Sequence, residues 1–327
     1  MCGIAFIKRY GEEPITVDQI RWLLLSLEER GTHASGVALM KGDEIEVYKA
    51  DEPASEFVTS KAFESFIEKH LHEDTDIMTC HTRWVTQGDP RFNKNNHPMW
   101  NGVSAVVHNG CISNDDYLFS ELKLERSCDT DSDIIRAIVD AEGIERGTIK
   151  TLNKLSGSCA AAIISRAHPG KLLVLRSGSP LFMAATEGQL LGASTKDALH
   201  LATRPWISRF GDYFQDNRTP AAFAAVPDNT ARIYGPTGKE WHDQFKSCYH
   251  YSTPDYSTAW TGFKGKNNRA TEDQPTYMIC PNKDCKDKDG KRTRLEIKSK
   301  HKHTPLWNME CTVCKTTLGT KPNVVMA

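Results

Sequence analysis

The 327-residue sequence has no long apolar run, no strong charge excess, no internal repeat and no low-complexity tract. Its longest apolar run, Cys159 to Ile164, is far too short to cross a bilayer, so no membrane partner is expected. Lys8 and Arg9 follow the first short apolar stretch rather than precede it, so no secretory signal is expected. The formal net charge of -1 gives no bulk preference for or against nucleic acid. Ten cysteines in so long a chain do not form the dense framework of a small secreted protein. They divide into scattered single residues and one paired cluster near the C-terminus. That division predicts a cytoplasmic protein in a reducing compartment, with a single metal site.

What is present is ordinary in amount and uneven in placement. Apolar content of 39% and charged content of 25% suit a soluble globular chain. The length suits one large domain with a small one attached. Residues 277–327 carry 11 Lys/Arg against 5 Asp/Glu, so an acidic body ends in a basic segment. Residues 2–10 read as a strand. Ile20, Leu23, Leu24 and Leu27 share one helical face between Thr16, a candidate cap, and Gly31, a candidate stop. Further helices are expected over 57–70, 115–122, 131–142 and 195–203. Strands are expected over 37–40, 44–49, 77–84, 103–107, 158–166, 172–176, 181–185, 189–193, 221–226 and 231–234. Asn109-Gly110 after a strand predicts a turn with positive φ. Residues 235–276 carry many aromatics without periodicity and read as a linker.

Met1-Cys2-Gly3 holds a cysteine directly behind the initiator methionine. Once Met1 is removed, Cys2 bears a thiol and a free α-amine. That amine titrates near ~7.7–8.0 and can serve as the base for its own nucleophile. The plainer reading is a small residue opening a strand.

Six pieces in order weigh against the plainer reading. They are Met1-Cys2-Gly3-Ile4, Arg30-Gly31, His81-Thr82-Arg83-Trp84-Val85-Thr86, Asn96-His97-Pro98, Val107-His108-Asn109-Gly110 with Asp129-Thr130-Asp131-Ser132-Asp133, and Arg176-Ser177-Gly178-Ser179-Pro180-Leu181. Together they resemble a class II glutamine amidotransferase domain of the N-terminal-nucleophile hydrolase superfamily. The pattern is similar to the glutaminase domain of glucosamine-phosphate synthase. The resemblance implies an α+β fold, a four-layer αββα sandwich over 2–234. It also implies L-glutamine as substrate. Cys2 would attack the carboxamide through a γ-glutamyl thioester, with Asn109 and Gly110 as the oxyanion hole. Arg83 would clamp the α-carboxylate and Asp131 would pair with the α-ammonium. Trp84 and Thr86 would line the pocket, His97 would border it, and Arg30 would shape the wall behind the nucleophile. Gln87 stands where the synthase pattern has His, and Cys111 where an aliphatic is common. No sugar-isomerase, phosphoribosyltransferase or synthetase pattern is expected in residues 235–327, so the ammonia acceptor and any acceptor enzyme are unassigned.

Cys280 and Cys285, then Cys311 and Cys314, form two close pairs separated by 25 residues. Two such pairs can close a tetrahedral four-thiolate site for structural zinc. Residues 277–320 thus resemble a zinc ribbon, with His301 and His303 as alternative ligands. Lys283, Lys286, Lys288, Lys291, Arg292 and Arg294 crowd the segment between the pairs, which suits contact with nucleic acid or with a protein. Two other readings compete with an ammonia-supplying enzyme: a stand-alone amidase of the same fold, and an inactive zinc-ribbon adaptor. Arg83 with Asp131 weighs against the first, and an intact Cys2, Asn109 and Gly110 against the second.

Overall fold

The computed structural model describes residues 1–186, 188–203 and 224–245, and the backbone of three short strands beyond them. In chain order the strands are β1 (Gly3–Arg9), β2 (Ala34–Lys41), β3 (Glu44–Ala50), β4 (Ile77–Arg83), β5 (Met99–Trp100), β6 (Ser104–Ile112) and β7 (Gly157–Ser165). They continue as β8 (Leu172–Ser177), β9 (Phe182–Ala185), β10 (Gln189–Ala193), β11 (Ala224–Ala225), β12 (Thr230–Gly235) and β13 (Gly238–Gln244). The helices are α1 (Val17–Leu27), α2 (Ala54–Phe57), α3 (Lys61–His70), α4 (Asp115–Leu122), α5 (Asp133–Glu142), α6 (Thr148–Leu152) and α7 (Lys196–Ala202).

Two antiparallel sheets carry the fold. The first runs β11-β9-β10-β1-β4-β2-β3 and the second β13-β12-β8-β7-β6-β5. Each sheet turns one face toward the other. Ile4, Phe6 and Met40 from the first meet Val107, Ile164 and Leu172 from the second in a core with no helix in it. The outer faces are covered by helices. Leu23, Leu24 and Leu27 of α1 pack on Ala5 and Ile7 with residues of α2, α3 and α7. Ile134, Ile135 and Ile138 of α5 pack on Val106, Ala161 and Ile163. Each fully buried large aliphatic side chain stabilises such a layer by about 1.5–3 kcal/mol.

Local chemistry sets the element ends. Thr16 caps α1 in a full capping box with Gln19, as its position suggests. Ser60 accepts from the Phe63 amide and begins a new helix, so the helix expected over 57–70 is α3 from Lys61, with the short α2 ending at Phe57 before it. The Asn109-Gly110 expectation is corrected. β6 runs straight through both residues to Ile112, with Asn109 opposite Ala160 and Gly110 opposite Cys159. α6 lies where no element was expected. Gly238–Gln244, read from composition as linker, is the edge strand β13 of the second sheet, and Phe245 behind it is fully buried.

Farther on, β14 (Leu295–Lys300), β15 (Trp307–Cys311) and β16 (Thr317–Leu318) form a three-stranded antiparallel sheet.

Candidate active site

Cys2 immediately precedes β1, the middle strand of seven. Gly3 pairs with Thr82 on β4, which draws Cys2 alongside the end of that strand. A Cβ at Gly3 would meet Thr82 Oγ1 at 2.6 Å and Leu27 Cβ at 2.8 Å, so this approach requires glycine. The Cys2 sulfur lies 3.3 Å from both the carbonyl oxygen and the amide nitrogen of Trp84. The thiol donates to the first and accepts from the second. Arg30 Nε donates to the Cys2 carbonyl at 2.8 Å. Burial pushes the Cys2 thiol above its ordinary range. The Trp84 amide, the chain's terminal ammonium and Arg83 oppose that rise, while Asp131 adds to it.

Asn109 and Gly110 sit on β6 in the facing sheet. Gly110 has φ +143°, and a Cβ there would meet the Ser158 carbonyl oxygen at 2.0 Å. Asn109 Nδ2 donates to Ser194 Oγ at 2.7 Å. Its Oδ1 is buried with no hydrogen-bond partner among the described residues.

Arg83, at the end of β4, is 3% exposed. Its Nη1 donates to Asn96 Oδ1 at 2.8 Å, and its Nη2 to the carbonyls of Gly88, at 3.0 Å, and Gln87. All three acceptors are neutral. Burial lowers its pKa, and Cys2, Cys128 and Asp131 push it back up. Among the described residues no carboxylate lies within ion-pair distance of this guanidinium. Asp131, also buried, accepts from the Ile112 amide at 2.7 Å and from the Ser132 hydroxyl at 3.3 Å. The adjoining helix α5 is fixed by Asp133, which accepts from the Ser127 amide at 2.6 Å and from Arg136 Nε at 2.5 Å. Despite its burial, those partners hold the Asp133 carboxyl below its ordinary range.

Beneath these groups lie three buried histidines. His81 and His97 stack with ring centroids 4.1 Å apart. His81 Nε2 donates to the His108 carbonyl at 3.1 Å, which bridges β4 and β6. His108 Nδ1 meets Ser132 Oγ at 2.8 Å, and Ser132 donates on to Asp131. His81 Nδ1 and both nitrogens of His97 are buried without a partner among the described residues. Burial pushes His81 down to about 3, and it also lowers His97 and His108, so all three rings are neutral at pH 7. Lys49 donates to the carbonyls of Asn96 and Pro98 at 2.7 and 2.9 Å, and burial pulls it down to about 8. Trp84 is 47% exposed, its ring 4.8 Å from that of His33. Thr86 lies exposed on the following loop.

Cys2, Trp84, Arg83 and Asp131 share one locality, and Asn109 reaches β1 through Ser194. Residues 81–201 match the family described as a glutamine amidotransferase domain. The chain is 34% identical over 319 residues to a glutamine–fructose-6-phosphate aminotransferase (isomerizing) of Caulobacter vibrioides, covering 86% of this chain and 49% of that one. It is 30% identical over 213 residues to the enzyme of that name from Chlorobaculum tepidum, covering 59% and 32%. A B. subtilis glutamine phosphoribosylpyrophosphate amidotransferase structure superposes with a TM-score of 0.56 at 17% identity, over 75% of this chain and 49% of that one. Over residues 81–201 this chain is thus similar to glutamine amidotransferase domains. It spans about half the length of the first of those relatives and about a third of the second.

The site also uses residues to which the sequence assigned no role. Ser194, Ser132 and Asn96 each hold a candidate site residue by hydrogen bond. Ser132 and Asn96 lie inside quoted motifs; Ser194 follows a strand end and has no local signal. Of the four candidate zinc cysteines, Cys280, Cys285 and Cys314 lie outside the described residues. Cys311 ends β15, and its side chain also lies outside them. Among the described residues no cluster of His, Cys, Asp and Glu could hold a metal, and no helix is long and apolar enough to cross a membrane.

Proposed function

We propose that the domain hydrolyses the side-chain amide of L-glutamine at Cys2 and supplies the ammonia to an acceptor. The supporting observation is one sulfur close to a buried guanidinium with only neutral partners and to a buried carboxylate. Free glutamine carries both complementary charges, an α-carboxylate for Arg83 and an α-ammonium for Asp131. The Arg83 fork suits bidentate carboxylate binding. Trp84 and Thr86 would line the glutamine pocket, and His97 would border it through its neighbour Asn96, which holds Arg83.

The steps follow from these positions. Removal of Met1, which is 78% exposed, frees the Cys2 amine. That amine takes the thiol proton as sulfur attacks the carboxamide carbon. The resulting oxyanion is held by the Asn109 side-chain amide and the Gly110 N–H. Such donors each contribute about 2.7–4 kcal/mol to barrier lowering. The amine returns the proton to the departing ammonia, leaving a γ-glutamyl thioester. Water then hydrolyses the thioester to glutamate and regenerates the thiol.

The acceptor reading is coarser: a nucleotide, a nucleic-acid base, or a substrate held by a partner enzyme. The basic segment 277–320 suits its recruitment. We read that segment as a zinc ribbon in which Cys280, Cys285, Cys311 and Cys314 hold the metal. The spacing, the soft thiolate donors and the end of β15 at Cys311 support this. Zinc there would be structural, with no open position for chemistry.

The decisive experiment combines mass and turnover. Intact-mass analysis should show loss of Met1, glutamine should yield glutamate, and a glutamine-analogue electrophile should label Cys2. Arg83→Ala should block the labelling. A chain that retains Met1 yet turns over would overturn the amine as base. A chain without Met1 that releases no glutamate, alone or with captured partners, would favour the adaptor reading. Metal analysis of the full chain should find one zinc, lost on Cys311→Ser.

A further inference from the structure

Ser194, directly after β10, is 1% exposed and belongs to neither the nucleophile nor the oxyanion hole. Its hydroxyl oxygen accepts from the Ile4 amide at 3.0 Å and from Asn109 Nδ2 at 2.7 Å. Its proton goes to the Ile4 carbonyl, 3.3 Å away. A serine hydroxyl offers one proton and two lone pairs, so all its capacity is committed.

We infer that Ser194 is the positioning residue that fixes which end of the Asn109 amide faces the nucleophile. With its proton on Ile4, the hydroxyl presents only a lone pair to Asn109. The nitrogen end of the amide is therefore the end that can sit against it. Reversal would set oxygen against oxygen. The chosen orientation leaves Asn109 Oδ1 buried and unpartnered among the described residues. An arrangement selected for packing alone would satisfy that atom instead. The second N–H of Nδ2 stays available for the oxyanion. Ile4 lies two residues beyond Cys2, so one hydroxyl registers the nucleophile's strand against the oxyanion donor on the other sheet.

This inference rests on the glutaminase reading, and its test separates the two. Full-length wild type, Ser194→Ala and Ser194→Cys are compared for glutamate release across glutamine concentrations, with thermal melts alongside. Alanine removes the acceptor, and cysteine replaces it with a weaker one of similar shape. The expected order in kcat is wild type, then Cys, then Ala. The Ala variant should fall on the order of 10- to 100-fold, with KM for glutamine changed less than about threefold. In Asn109→Ala, adding Ser194→Ala should cost almost nothing more, because the positioned group is already gone. Unchanged kcat in both Ser194 variants would overturn the inference, as would losses that add in full to those of Asn109→Ala. If alanine does not fold, the cysteine variant alone carries both comparisons. No glutamate from wild type defeats the glutaminase reading and this inference with it. Turnover by wild type with unaffected Ser194 variants defeats this inference alone.

Discussion

Cys2 meets opposed demands. A half-buried sulfur resists ionisation, yet the thiolate is the attacking form. With the thiol pushed above its ordinary range, the resting form at pH 7 is protonated, and a base must act during attack. Alkylation of Cys2 by iodoacetamide in the Met1-bearing chain should therefore accelerate steadily with pH, without levelling off below about pH 9. Peptide mass spectrometry reads the rate, and a plateau near pH 7 would show a pre-formed thiolate instead. Arg83 faces a comparable conflict, as a buried cation supplied only with carbonyl oxygens. A ligand carboxylate would resolve it. Arg83→Ala should then lower kcat/KM for glutamine by about 2–5 kcal/mol, the usual result of truncating one partner of a buried charge pair. Arg83→Lys keeps the charge but loses the planar fork, so it should rescue only part of that loss, with the remaining defect mainly in KM. Equal kinetics for Lys and wild type would remove the bidentate reading.

At the scale of elements, β6 departs most from its sequence signal. Asn109-Gly110 carries the positive φ that the dipeptide suggests, but inside a strand whose pairing continues on both sides. Gly110→Ala must place a Cβ 2.0 Å from the Ser158 carbonyl at an unfavourable φ. It should cost more than about 2 kcal/mol of stability and abolish turnover by moving the Gly110 N–H. Gly42 in the β2–β3 hairpin also has positive φ, +57°, but nothing within 4 Å. Gly42→Ala should cost only about 1–2 kcal/mol and leave kcat intact. Chemical denaturation of the two variants makes the comparison, and equal losses would contradict the steric account. The same contrast explains what the sequence could convey. Ile20, Leu23, Leu24 and Leu27 announce α1 because the helix needs only its own period and its Thr16 cap. β13 announces nothing, because its lone large apolar residue is Trp241 and its strand character comes from pairing with β12. Pairing across a sheet is non-local, and no local pattern encodes it.

At the scale of the whole molecule, the two sheets meet at His81, His97 and His108. The motifs that hold these residues were legible in order. The contact among the histidines was not, because it exists only once β4 and β6 face each other. That contact has a consequence for acid stability. All three rings have depressed pKa values in the fold and an ordinary value of 6.5 when unfolded. Below pH 6.5 the unfolded chain therefore binds protons that the folded chain refuses. The stability present above that pH is lost as pH falls from 6.5 toward the folded values. Each histidine contributes up to about 1.4 kcal/mol per pH unit, and only between its folded and unfolded values. Asp133 acts in a lower window, since its depressed carboxyl loses its contribution only as pH falls below about 4. Urea unfolding between pH 7 and 5 should thus show a steep loss, well above the carboxylate range. His97 has no hydrogen bond to forfeit, so His97→Phe should reduce the slope by about one proton while the fold persists. A stability profile flat from pH 7 to 5.5 would mean that the rings already accept protons in the folded state, and that the seam between the sheets is wet.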